Sequence, residues 1–378
     1  MKILFITHYA EMLGANRSLM ALIKDLIEQY GIHATLLCPE DGDITKEAEK
    51  IGVRTINIGG NYTWTAAKNA RFSFGNNVLR KIRHYIVTEI GWKKVRKEKF
   101  DLIHCNSSVT DLGYVLSHKM NIPLVWHLRE FGTLDYGQFC FFSKEYQKKA
   151  FESASTLIAI SQAISEYYRK IAPSAKIETV YNGVKAFERS CSNNPDKIIK
   201  FCVVGLLCDA KNQMEVLKAI NALKQQGVSG FEVDFVGDGT EEYQNNLKKY
   251  ISKYGIEKYV KFWGYRTDVN NILNEMNVGI VSSRNEAFGR VTVEFMLAEM
   301  PIIGTNTGGT VELIKNGVNG HLYESGNFNE LANWMNYYIN DHAQIKNEGQ
   351  NGKKCANERF TLKANTDKVW DIFCKTTM

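Results

Sequence analysis

The residues best suited to chemistry lie between Val278 and Gly320, in the run VGIVSSRNEAFGRVTVEFMLAEMPIIGTNTGGTVELIKNGVNG. Two carboxylates, Glu286 and Glu294, stand there with seven residues between them, and a Gly308-Gly309 pair follows. The run reads as a buried strand, a loop carrying Glu286, a helix carrying Glu294, a second strand and a glycine loop. Phe288-Gly289-Arg290 leads into the helix. Unpaired backbone N–H groups at a helix start bind diphosphates, and Gly289 allows close approach. Glu294, one to two turns farther on, could reach a ribose hydroxyl pair, a task carboxylates perform in dinucleotide folds. A carboxylate pair at this spacing also occurs on plain helix surfaces, so its weight comes from the surrounding pattern.

The elements that would hold these residues repeat along the chain. Ile3–Thr7 is a short apolar run, Gly14 marks a tight loop, and Leu19, Leu22, Ile23 and Leu26 recur at helical spacing. That corner is either an anion site at a helix start or a plain strand-to-helix turn, because it has one glycine where the dinucleotide fingerprint has three. The runs at 33–38, 53–58, 101–106, 122–128, 155–161 and 177–183 are short and rich in Val and Ile. Helical segments such as Val109–Lys119 and Ser161–Lys170 separate them, which predicts a parallel sheet wrapped by helices. Residues 184–198 are polar and aperiodic and read as a linker. A second alternating series follows at 198–205, 231–239, 259–265, 278–283 and 301–306. The tail from Phe360 reads as one amphipathic helix through Val369, Trp370, Ile372 and Phe373. A chain of 378 residues is too long for one ordinary core. The expected domains are 1–186 and 187–378, with the last helix, about 360–378, a candidate to pack back on the first domain.

Composition sets the broad class. With 44% hydrophobic residues, 23% charged and five prolines, the chain is of globular type. No apolar run approaches the roughly 20 residues of a membrane-spanning helix. The opening MKILFITHYAEM lacks a small-residue cleavage site and reads as a strand, so a cytoplasmic location is expected. The eight cysteines show no paired metal-ligand spacing and read as buried thiols. The net charge of +6 is uneven: residues 1–185 carry 25 Lys+Arg against 18 Asp+Glu, the remainder 22 against 23. Much of the excess lies in Lys68–Lys99, with ten Lys+Arg against Glu89 and Glu98. Within it Val78, Leu79, Ile82, Ile86 and Ile90 fall near helical spacing. Such a helix either lies on an anionic membrane, on the inner face of the plasma membrane, or is a solvated helix face. Nucleic acid is not an expected partner, because no nucleic-acid motif accompanies the charge.

With these residues in place, the segment 278–320 resembles the signature of glycosyltransferase family 4, the group 1 glycosyltransferases, which are retaining enzymes of the GT-B fold. The family's run is a strand, a Glu, a Gly-Phe-Gly-like turn, a second Glu and a Gly-Gly loop followed by a Glu. Here these are Glu286, Ala287-Phe288-Gly289, Glu294, Gly308-Gly309 and Glu312. The resemblance covers nearly the whole chain. Ser161 with its helix, Tyr181-Asn182-Gly183-Val184, Val204-Gly205 with Lys211-Asn212, and Val236-Gly237-Asp238-Gly239 stand in the family's order.

The resemblance implies an α/β fold of GT-B type, two Rossmann-like domains with parallel sheets facing across a cleft. The first would bind the acceptor and the second the nucleotide sugar. It implies that Lys211 meets the donor diphosphate, Glu286 the sugar and Glu294 the ribose. Gly205 and the residues around Trp263-Gly264-Tyr265 would hold the nucleotide, with Phe288, Gly289 and Arg290 at the phosphates. Gly14 and Ala15 would lie opposite the diphosphate, and His127 near the sugar and acceptor. The implied reaction is metal-independent transfer, without a cofactor, from a UDP- or GDP-linked sugar to a polysaccharide or lipid-linked glycan. Retention would follow a front-face route through an oxocarbenium-like state. One departure stands out. Leu206 occupies the position where the family usually has an Arg that clamps phosphate bidentately, and Arg290 or Arg284 is expected to replace it. The Asp that commonly follows the Asn-Gly-Val run is here Lys185. Two other activities suit the same pattern: a nucleotide-sugar epimerase or hydrolase, and a non-catalytic nucleotide-sugar-binding subunit.

Overall fold

The computed structural model of the chain describes residues 1–67, 74–186, 189–190 and 198–377. Lys68 and Arg71 of the basic stretch, and residues 187–188 and 191–197 of the expected linker, lie outside the described residues. The chain divides into two compact units, Met1–Gly183 together with the chain from Leu362, and Val184–Thr361.

The first unit holds the strands β1 (Lys2–Ile6), β2 (His33–Cys38), β3 (Arg54–Asn57), β4 (Thr65–Ala67), β5 (Leu102–Cys105), β6 (Leu124–Leu128), β7 (Gln138–Cys140), β8 (Thr156–Ala159) and β9 (Ile177–Thr179). Seven of them form one sheet in the order β3-β2-β1-β5-β6-β8-β9, and every pairing in it is parallel. The central strands β5, β6 and β8 are buried along their whole length, as strands covered by helices on both faces must be. β4 and β7 form a separate antiparallel ribbon that three-residue strands without alternation do not advertise in sequence. The expected helix over Val109–Lys119 begins later, at Leu112. Val109 and Thr110 pair instead with the segment before β4: the Trp64 N–H donates to the Val109 carbonyl at 3.0 Å, and the Thr110 hydroxyl donates to the Tyr62 carbonyl at 3.2 Å.

The second unit contains β10 (Ile199–Val204), β11 (Phe231–Val236), β12 (Val260–Gly264), β13 (Val278–Val281), β14 (Ile302–Thr305) and β15 (Gly320–Tyr323). Their order is β12-β11-β10-β13-β14-β15, again all parallel. β15 is an edge strand absent from the expected series; its four residues include His321 and give no apolar run.

The terminal helix Leu362–Thr377 belongs to the first unit. Val369, Ile372 and Phe373 join the core formed by Ile3, Phe5, Leu19 and Ile23, and Trp370 stacks on Tyr30 with ring centroids 4.6 Å apart. In each sheet the strand order reverses once, between β1 and β5 and between β10 and β13. At such a reversal the connecting segments leave in opposite directions and open a crevice beyond the strands' carboxyl ends. Two parallel-sheet α/β domains of this kind make a GT-B, Rossmann-like fold.

Candidate active site

In the second domain the crevice lies between the ends of β10 and β13. The loop after β10, Gly205–Asn212, and the loop after β13, Ser282–Gly289, are laced together there. Ser282 Oγ donates to the Lys211 carbonyl at 2.8 Å, and the Arg284 N–H donates to the Ala210 carbonyl at 2.9 Å. The Arg284 guanidinium donates to the carbonyl and the carboxylate of Asp209, each at 3.1 Å. Lys211 Nζ then donates to Glu286 Oε2 at 2.6 Å, and Ser283 Oγ donates to the same oxygen at 2.8 Å. The two charged side chains are partly covered, 31% and 16% exposed. An ion pair in such a place contributes about 1 kcal/mol or less to folding. Its consequence is geometric: a cation and a carboxylate are aligned at the mouth of the sheet.

Close packing behind Glu286 sets its position. A Cβ on Gly279 of β13 would lie 2.2 Å from Phe295, so glycine lets the helix Arg290–Leu297 settle directly on the strand. On the other side, the Gly309 N–H donates to the Glu286 carbonyl at 2.6 Å. Gly308 has φ +55, and a Cβ there would come within 2.3 Å of the same carbonyl oxygen. Thr305 Oγ1, at the end of β14, donates to the Ser283 carbonyl at 2.7 Å. The strand-helix-strand unit and its glycine loop thus form one support for Glu286.

The helix that follows starts at Gly289, with φ +93, and carries Arg290 and Glu294 one turn apart, their charged groups 3.6 Å from each other. Gly289, its cap residue, lies against Glu286, where an added Cβ would come 3.4 Å from the Glu286 Cγ. Phe288 is a buried anchor, its ring 5.8 Å from that of Phe360, so only its backbone is available to a ligand. Gly205 closes β10. Trp263 lies on β12, where its indole N–H donates to Asp234 at 2.7 Å, and Tyr265 is exposed just beyond that strand's end. Leu206, where the family carries Arg, is 57% exposed. Of the two candidate substitutes, Arg284 is engaged in fastening the Asp209 loop, while Arg290 stands on the helix start. Among the described residues, no group of three or more His, Cys, Asp and Glu side chains is placed to hold a metal ion.

Gly14, Ala15 and His127 belong to the first domain. Gly14 opens the helix Gly14–Tyr30 after the loop that follows β1, and a Cβ added to it would meet nothing within 4 Å. The preceding loop folds around Asn16, whose amide donates to the carbonyls of Tyr9 at 3.0 Å and Glu11 at 2.8 Å. Ala15 accepts from Asn106, which follows β5, at 3.3 Å. His127 is not at the rim. It is fully buried within β6, its Nδ1 3.1 Å from His104 Nε2, and burial holds its imidazole well below the ordinary value, hence neutral. Strand β6 reaches the rim two residues later, with side chains the sequence reading passed over. Arg129 Nε donates to Asn106 at 2.9 Å and its guanidinium also donates to Asn182. Glu130 accepts from the hydroxyls of Ser107 and Ser108, each at 2.7 Å. Burial raises the Glu130 pKa despite these donors. His8, after β1, is likewise held neutral by burial, lowered to about 3. A cavity of about 200 Å³ opens beside this cluster, lined among others by Ser108, Phe131, Gln138, Lys144 and Tyr167. The signal that would have found Arg129 and Glu130 is their place just past the buried strand β6, where two charged residues that stay buried need a reason.

A lysine-carboxylate pair beside a helix start, at the point where a parallel sheet reverses its strand order, suits a nucleotide diphosphate. Residues 184–355 match the family described as glycosyl transferases group 1, and residues 13–186 match glycosyltransferase family 4. The chain therefore belongs to the group 1 / family 4 glycosyltransferases and is a glycosyltransferase. It is 25% identical over 365 residues, 92% of this chain and 89% of the relative, to an Escherichia coli UDP-Gal:alpha-D-GlcNAc-diphosphoundecaprenol alpha-1,3-galactosyltransferase. It is 28% identical to the Bacillus subtilis putative glycosyltransferase EpsD over 163 residues, 43% of this chain and 42% of EpsD, so that match spans less than half of the relative. In structure it is similar to Anabaena HepE, solved in complex with UDP and glucose, with a TM-score of 0.81, 24% identity and 98% of both chains covered.

Proposed function

We propose that this chain is a retaining, metal-independent glycosyltransferase that moves a sugar from a nucleotide-diphosphate donor, UDP- or GDP-linked, to a polysaccharide or lipid-linked glycan. The observation that carries this reading is the Lys211–Glu286 pair at the β10/β13 crevice, 2.6 Å apart and backed by the helix start at Arg290. In this reading the bond between the anomeric carbon and the diphosphate oxygen breaks first. Lys211, Arg290 and the helix N–H groups stabilise the charge that grows on the leaving diphosphate, the kind of preorganised stabilisation that dominates many enzymes. Glu286 orients the sugar hydroxyls and Glu294 the ribose. The acceptor oxygen bonds on the face the diphosphate left, and its proton passes to the departing phosphate oxygen. Gly205, Trp263 and Tyr265 line the nucleotide end, and Gly14 and Ala15 are the first domain's contribution to the donor. His127 takes no part in this scheme because it has no exposed surface. The first-domain cavity beside Glu130 is the proposed seat of the acceptor sugar. A peripheral place at a membrane follows if the acceptor is lipid-linked, as it is for the E. coli relative by its name.

The test uses labelled UDP- and GDP-sugars with a membrane lipid extract. Glu286→Ala is expected to fold, with stability within about 1 kcal/mol of wild type, and to lose transfer by roughly 10²-fold or more. Near-normal turnover by that variant would sink the assignment. Donor binding without transfer or donor hydrolysis in the wild type would favour a binding subunit instead.

A further inference from the structure

The helix Phe74–Val95 has two apolar faces, and the fold uses only one. Its inward face is well fastened. His84, Val87, Thr88 and Val95 are buried, and Gly91 lies so close to Ile58 that a Cβ would approach its methyl to 3.1 Å. His84 Nε2 is 2.6 Å from the fully buried Asp111 carboxylate, whose other oxygen accepts from the Tyr146 hydroxyl at 2.8 Å. The outward face carries Leu79, Ile82, Tyr85, Ile86 and Ile90, exposed by 37% at Ile90 to 65% at Leu79. At 3.6 residues per turn these residues centre about 180° from the buried set and run roughly 17 Å along the helix. Single exposed apolar residues are ordinary, but a continuous stripe on one helix marks an interaction surface.

The flanks of the stripe indicate what it meets. Lys81, Arg83, Lys93 and Lys94 are exposed along it, and Arg96 and Lys97 follow at the helix end. Of the two acids in the stretch, Glu89 is paired with Lys119 and Glu98 with Arg54. A second copy of the chain would set these like-charged flanks against each other. An anionic bilayer complements both features, taking apolar side chains below the headgroups and basic ones at their level. No helix among the described residues is long and apolar enough to cross a membrane, so this surface would lie on the bilayer.

We infer that the helix Phe74–Val95 is a membrane-docking device that inserts its Leu79–Ile90 stripe into the headgroup boundary of an anionic lipid bilayer. The inference deepens the lipid-linked-acceptor part of the proposed function, but it concerns binding and is measured without turnover. Insertion by apolar side chains is distinct from adhesion by charge. Salt shortens the reach of the basic flanks and leaves the stripe's contribution in place.

The experiment is flotation of the full chain with vesicles of phosphatidylethanolamine and phosphatidylglycerol, compared with pure phosphatidylcholine. Wild type is expected to float with the anionic vesicles, and to keep a substantial bound fraction at 0.5 M salt (about a five-fold increase over a 0.1 M buffer). The variant Leu79→Ser/Ile82→Ser/Ile86→Ser is expected to lose partitioning by about 10²-fold or more. Its melting temperature and its stabilisation by nucleotide sugars should match wild type. In a second variant, Leu79→Trp, the added fluorescence should be quenched by brominated lipid. The inference is overturned if wild type stays unbound, if the triple variant floats as well as wild type, or if Leu79→Trp is not quenched. It is equally overturned if sedimentation shows a wild-type dimer that the triple substitution dissociates, because the stripe would then be covered by a second copy. Loss of nucleotide-sugar stabilisation with flotation intact would instead count against the proposed function alone.

Discussion

Replacing Gly308 by alanine tests whether the glycine loop is the mechanical support of the site. Gly308 is left-handed at φ +55, and an added Cβ would meet the Glu286 carbonyl oxygen at 2.3 Å, its nitrogen at 2.9 Å and its carbonyl carbon at 3.1 Å. All three are backbone atoms, so no rotamer change relieves the overlap, and the Glu286 loop itself must move. Gly317 supplies the control. It is left-handed at φ +69, but a Cβ there would meet nothing within 4 Å. Both variants carry the left-handed strain of an L-residue, about 1–2 kcal/mol. Only Gly308→Ala adds overpacking, about 1–3 kcal/mol more. In a domain of this size each kcal/mol lowers Tm by about 2–4 °C, so Gly308→Ala should melt roughly 2–12 °C below Gly317→Ala. The larger effect is on rate. A displacement near 1 Å at a positioning element costs about 10²-fold, so Gly308→Ala should lose transfer while Gly317→Ala keeps it. Melting curves, and initial rates of nucleotide release with the donor that most raises wild-type Tm, provide the readouts. Wild-type turnover in Gly308→Ala, or equal losses in the two variants, would refute the claim that this loop holds Glu286 in place.

Two further outcomes follow from the first domain. Burial, assisted by the charge of Glu130, raises Asp135 from 3.8 to about 7. The folded chain therefore keeps a proton that the unfolded chain releases near pH 4. Asp135's contribution to stability is complete below that pH and is lost as pH rises toward about 7, a decline of up to about 4 kcal/mol. Asp135→Asn should flatten that decline in urea midpoints measured from pH 4 to 8, and parallel curves would contradict it. Phe373 in the terminal helix is fully buried in the first domain's core. Phe373→Ala should cost about 3–5 kcal/mol and lower the melting transition of the first domain, while nucleotide sugars still stabilise the second. An unchanged first transition would mean that the terminal helix is not part of that core.

The sequence by itself determined the two alternating halves, the parallel sheets and the Glu286–Glu294 segment. Those are local properties: apolar runs, helical spacing and a motif contained in one strand-helix-strand unit. What only the tertiary structure decided are relations between distant segments. Lys211 and Glu286 are 75 residues apart and meet because β10 and β13 are neighbours in the sheet, an order that periodicity does not encode. Arg284 is committed to Asp209 by the same adjacency. His127 was legible as a polar residue near a strand end. Whether it faces a core or a rim depends on which residue of β6 leaves the sheet, and Arg129 with Glu130 take that place. The terminal helix was legible as amphipathic, but its partner, the core around Phe5 and Ile23, lies at the other end of the chain. The basic helix shows the limit most directly. Spacing identifies its apolar residues, and only packing reveals that the fold covers the face bearing His84 and leaves Leu79, Ile82 and Ile86 in contact with solvent. A helical period records that a face is apolar; which neighbour covers it depends on the rest of the chain.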